Sequence, residues 1–72
     1  MSEIEREEIA TIQAPYTRKV QLEEARFESG MKMFRVIIRE GKRITQIDLD
    51  AETAGEWARI MGNWATDQGG QG

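Results

Sequence analysis

The chain has 72 residues, 39% of them hydrophobic and 32% charged, with a formal net charge of −3 at pH 7. Those proportions describe one small globular domain, and no apolar run approaches the length of a transmembrane helix. Cysteine and histidine are both absent, which removes a disulfide framework, the usual zinc ligand sets, a haem histidine and the Ser-His-Asp or Cys-His nucleophiles.

Residues 1–15 are acidic, with Ile4, Ile9, Ile12 and small alanines as their only packing groups. They lack the basic start and apolar stretch of a secretory signal, so the expected location is the cytoplasm. This segment is expected to be flexible or to fold back on the rest. From Tyr16 to Thr66 the apolar period changes once, from two to about three and a half, which predicts strands followed by a helix. Residues 16–66 therefore form the expected domain. The polar, Gly-rich residues 67–72 read as a disordered tail.

The first predicted strand runs from Lys19 to Phe27 and leads into Glu28-Ser29-Gly30, a three-residue hairpin loop with Gly30 in the left-handed position. That register sets Val20 opposite Ile38 and Leu22 opposite Val36. A two-residue loop would turn Gln21 and Glu23 toward the core. The next hairpin closes at Gly41-Lys42, glycine first as a type II′ turn requires. Its pairs are Phe34 with Leu49, Val36 with Ile47, Ile38 with Thr45 and Glu40 with Arg43. The expected sheet is a three-stranded antiparallel meander whose core face carries Val20, Leu22, Phe34, Val36, Ile38, Ile47 and Leu49. Asp50 then caps a helix from Ala51 to about Thr66, giving an α+β domain of order β-β-β-α.

At about 100° per residue, Trp57, Ile60 and Trp64 share one flank of this helix. Ala54 and Met61 take the centre, and Ala51, Gly55, Ala58, Gly62 and Ala65 the other flank. The non-polar arc is about half the circumference, wider than a one-sided helix needs. Its two interior glycines cost about 1 kcal/mol each relative to alanine. In one reading the bulky flank packs on the sheet, against Phe34, Val36 and Ile47, while the small flank meets a partner helix. In the plainer alternative the small flank lies near the sheet. A third makes the two tryptophans a stacking platform for a ligand.

The second sheet face sets Glu23, Arg35 and Asp48 in one cross-strand row, with Arg35 neutralised as a surface group worth under about 1 kcal/mol. Phe27, Met31, Met33, Ile37 and Ile44 also point there, too many apolar groups for a freely solvated face. Either the N-terminal segment, through Ile9, Ile12 and Tyr16, or another protein chain is expected to cover them. The candidate partner interface is thus Ala51, Gly55, Ala58, Gly62 and Ala65 on the helix with Met33, Ile37 and Ile44 on the sheet.

Basic residues gather at one end of the sheet, and Lys19, Arg39, Lys42 and Arg43 are the candidate nucleic-acid contacts of an alternative reading. Strand ends and hairpin tips also favour such residues because they block edge-to-edge aggregation. Strands followed by a helix resemble, at the level of pattern, small single-strand-binding coactivator domains. This chain departs from them in its acidic N-terminus, one strand fewer and a self-neutralised sheet face, so no functional residue is carried over. Its thirteen carboxylates read as solvated surface, because catalytic pairs need a cleft that desolvates one member. The expected function is a non-enzymatic interaction or accessory protein without cofactor or metal. The expected partner is a second copy, as a homodimer, or a larger protein, and not a membrane.

Overall fold

The computed structural model describes residues 2–70. Four strands, β1 (Glu3–Ala14), β2 (Arg18–Phe27), β3 (Lys32–Glu40) and β4 (Arg43–Leu49), form one antiparallel sheet in the order β1-β2-β3-β4. Helix α1 (Ala51–Ala65) follows, and a wide helical turn over Thr66–Gly70 ends the described chain. The architecture is α+β as expected, but with four strands instead of three. Residues 67–70 of the expected tail fall in that turn, and residues 71 and 72 lie outside the described ones.

The extra strand is the acidic N-terminal segment, which is neither loose nor laid over a sheet face but paired edge-on with β2. Its pattern is broken by two register shifts, between Glu3 and Glu5 and between Glu8 and Ala10. A bulge adds one residue to a strand and interrupts the alternation of side chains, so Ile4, Ile9 and Ile12 do not recur with a period of two. The turn into β2 is marked in the sequence by Pro15 alone, without a glycine. Tyr16 and Thr17 both adopt positive φ, 63° and 58°, a region that ordinary side chains avoid and that glycine or asparagine usually fills.

The other two hairpins follow the expected register. Val20 pairs with Ile38 and Leu22 with Val36, while Phe34 pairs with Leu49 and Glu40 with Arg43. Gly30 and Gly41 take positive φ at the two turns, 92° and 59°. Asp50 caps α1, its Oδ1 accepting from the Thr53 amide at 3.0 Å. The Thr53 hydroxyl, and then this amide hydrogen bond, hold the Asp50 carboxyl below the usual carboxylate range.

Among the described residues the buried hydrophobic side chains are Ala25, Val36, Ile37 and Leu49. Alternation divides them between faces: Val36 and Leu49 lie on the face that α1 crosses, Ala25 and Ile37 on the other. Helix α1 meets β3 and β4, yet none of its residues is buried.

Candidate functional site

The helix stands off the sheet, and the space between them is an open apolar trough of about 700 Å³. Its floor is Ile12 of β1, Val20 and Leu22 of β2, Phe34, Val36 and Ile38 of β3 and Leu49 of β4. The wall is Ala54, Gly55, Trp57, Ala58 and Met61 of α1. All of these side chains are apolar. The capped first turn ties the helix to the end of β4. Further along, small Ala54, Gly55 and Ala58 present too little volume to close the gap.

This arrangement agrees with the plainer alternative, in which the small flank lies near the sheet, and corrects the reading in which the bulky flank packs on it. Gly55 and Ala58, from the small flank, line the sheet-facing side, and Trp57 borders the trough at 38% exposure. Trp64 is 64% exposed and Ile60 54%, and neither lines the trough, so the tryptophan pair does not pin the helix to Phe34, Val36 and Ile47. Ile47 itself is exposed. Ala51 and Ala54 border a second hollow of about 230 Å³ beside Glu24, Lys32, Met33 and Phe34. Gly62 and Ala65 are exposed. Among the described residues a Cβ at Gly55 or Gly62 would meet nothing within 4 Å, so no close approach there requires glycine at either place.

The opposite face carries paired charged side chains. Arg35, 5% exposed, donates from Nε and Nη2 to the two carboxylate oxygens of Asp48 at 2.8 and 3.0 Å and from Nη1 to Glu3 Oε1 at 2.8 Å. The Asp48 partner was legible from the cross-strand row. Glu3 replaces the expected Glu23 because β1 brings it in from the far end of the chain. Glu23 lies 3.8 Å from Arg6. The Arg35 guanidinium holds the Asp48 carboxyl below its ordinary range, against the opposing effect of burial, and the two carboxylates hold Arg35 more firmly charged. Ile37 is 5% exposed, Met33 is half-buried, and of the three candidate sheet residues Ile44 stays exposed.

The basic residues do not form one surface. Lys19 and Arg39 pair across β2 and β3, and Arg39 donates to Gln21. Arg43 pairs with Glu40 across the turn, on the helix-facing side, and Glu40 in turn accepts from Arg18. Lys42 occupies the turn. At the other end Arg26 bridges Glu5, Glu7 and Glu24 at 2.7 to 2.9 Å, and these acids hold its guanidinium charged.

Residues that the sequence reading did not place at a site are Ile12 and Glu3, both supplied by β1. The trough floor, by contrast, was legible as the expected core face. Among the described residues no group of three potential metal ligands converges, and no helix is long and apolar enough to cross a membrane. A protein-family model described as a family of unknown function, DUF6967, matches residues 3–67. No curated protein matches the chain, and no solved structure does.

Proposed function

The chain belongs to the DUF6967 family, and we propose that it is a small non-enzymatic protein-interaction module whose apolar trough receives an element of another protein chain. The observation that carries this reading is the trough itself. A cavity of about 700 Å³ between sheet and helix, with a wholly apolar lining, exposes to water the surface that a domain of this size most needs to bury. Small-molecule sites place a few polar groups among apolar walls to orient the ligand. The trough walls offer none, so an apolar protein surface fits them better than a metabolite.

The test is capture by the immobilised chain, compared with Ala58→Glu, which puts a charge in the trough wall at an already exposed helix position. Docking partners, including further copies of the chain, are expected to be retained by the parent and lost by the variant, with the far-ultraviolet circular dichroism of both unchanged. Equal retention by the two proteins would remove the trough as the docking surface. The nucleic-acid alternative rests on Lys19 and Arg39, with Lys42 and Arg43 nearby. Oligonucleotide binding that falls steeply with salt, and that Ala58→Glu leaves intact, would favour it instead.

A further inference from the structure

We infer that the occupant of the trough is helix α1 of a second copy of this chain, docked about a two-fold axis so that Ile60 and Trp64 of each copy enter the trough of the other. This inference rests on the reading of the trough as a docking site and names the partner.

The first argument is area. A compact monomer of 8.2 kDa exposes about 4,500 Å², whereas this chain exposes 5647 Å². The excess, roughly 1,100 Å², exceeds the ~800 Å² that each partner buries in an interface of standard size. The radius of gyration agrees: it is 14.2 Å, against about 11 Å for a compact domain of this length. The chain has the surface of half an assembly.

The second argument is self-complementarity. The molecule has an apolar trough that lacks a filling and, on the same helix, bulky apolar side chains that lack a cover: Ile60, Met61 and Trp64. A second copy satisfies both deficits in one symmetric contact, and two-fold contacts of this kind close without leaving a sticky end. A different protein seated in the trough would leave Ile60 and Trp64 in water unless it also wrapped around the helix. The third argument is the glycines. Their cost in helix stability, about 1 kcal/mol each, is not offset by a close contact among the described residues, since the space beside Gly55 and Gly62 is open. The distance between packed helices is set by the side chains between them, and a helix of the second copy lying along this flank uses the room that the glycines leave.

The experiment is analytical ultracentrifugation of the full chain over a wide concentration range, with two variants that break opposite halves of the contact. Trp64→Lys removes the filler and leaves the trough; Gly55→Leu blocks the trough and leaves the filler. The parent is expected to sediment as a dimer with a melting temperature that rises with concentration. Each variant alone is expected to have a dimer Kd raised about thirtyfold or more. An equimolar mixture of the two is expected to associate more tightly than either alone, because the mixed pair retains one intact half.

A parent that remains monomeric at every concentration overturns the inference. The docking reading then still stands if Ala58→Glu abolishes capture of other proteins, and falls with it if capture is unchanged. A dimer that survives both variants, or a mixture no tighter than its components, places the contact elsewhere and also overturns it. Should Trp64→Lys lose its circular dichroism signal, Gly55→Leu decides alone, since leucine favours the helix and a side chain there meets open space. Undiminished dimerisation of that variant overturns the inference.

Discussion

The two faces of one sheet solve the same problem in opposite ways. On the face away from the helix, Ile37 and Ala25 are buried without a second layer, on a face where Arg35, Asp48 and Glu3 pair with one another. The aliphatic stems of such residues cover apolar surface while their heads remain hydrated or paired. On the helix face, the covering layer is present but stands off. Val20, Leu22, Phe34 and Ile38 remain half-buried, above them is the trough, and the helix contributes no buried residue. One face buries Ile37 and Ala25 within a single chain, with Ile44 left exposed, and the other has the chemistry of a core without its closure. A charged cover suits a permanent outer surface; an apolar wall with small residues suits a surface that is closed by association.

The largest expected effect that sharpens this contrast is at Arg35. Arg35→Ala leaves Asp48 and Glu3 without the cation they share. Because both acids remain partly accessible to water, the loss is expected at about 2 kcal/mol and not at the upper range for a fully buried pair. Chemical denaturation of parent and variant at fixed protein concentration measures it. A loss below about 0.5 kcal/mol, ordinary for an exposed surface substitution, would show that this face is not held closed by its ion pairs.

A smaller effect of the same network appears with pH. The Asp48 carboxyl is depressed in the folded chain by Arg35, so the unfolded chain takes up its proton at the higher pH. Its stabilisation is full above the ordinary carboxylate value of about 4 and is lost as pH falls through the folded value. Asp50 at the helix cap has the same sign. The parent is expected to lose stability as pH drops below about 4, and Arg35→Ala to show a shallower acid limb. Identical acid limbs in unfolding midpoints measured across this range would count against Arg35 as the cause.

What was legible in the sequence depended on whether the pattern stayed regular. From β2 to α1, alternation is unbroken, Gly30 and Gly41 mark their turns, and Asp50 marks the helix start, so the pairs Val20–Ile38 and Phe34–Leu49 emerge correctly. At β1, bulges displace Ile4 and Ile9, and a turn made of Pro15, Tyr16 and Thr17 has no glycine to announce it. The strand is therefore hidden, and with it Glu3 as a partner of Arg35. The helix orientation failed for a different reason. Reasoning from volume assigns the largest residues to the chain's own core, but the face that Gly55 and Ala58 share is the one turned to the sheet. An apolar helix face identifies what is to be buried, not which chain buries it.

The smallest expected effect concerns the strand that both faces share. β1 supplies Ile12 to the trough and Glu3 to Arg35, and it is joined to β2 through Tyr16 and Thr17 in the left-handed region. Holding a β-branched residue there costs about 1 kcal/mol, which glycine does not incur. Thr17 is exposed, and its hydroxyl bonds the Tyr16 carbonyl oxygen, a local contact that solvent can replace. Thr17→Gly is therefore expected to stabilise the fold by up to about 1 kcal/mol, less the extra flexibility that glycine gives the unfolded chain. The tip lies outside the trough lining, so the sedimentation behaviour should not change. A destabilised variant would mean that the strained turn is held by contacts that threonine itself provides. A changed association constant would mean that the β1–β2 tip takes part in the contact, and the division of labour between the two faces would have to extend to the sheet's end.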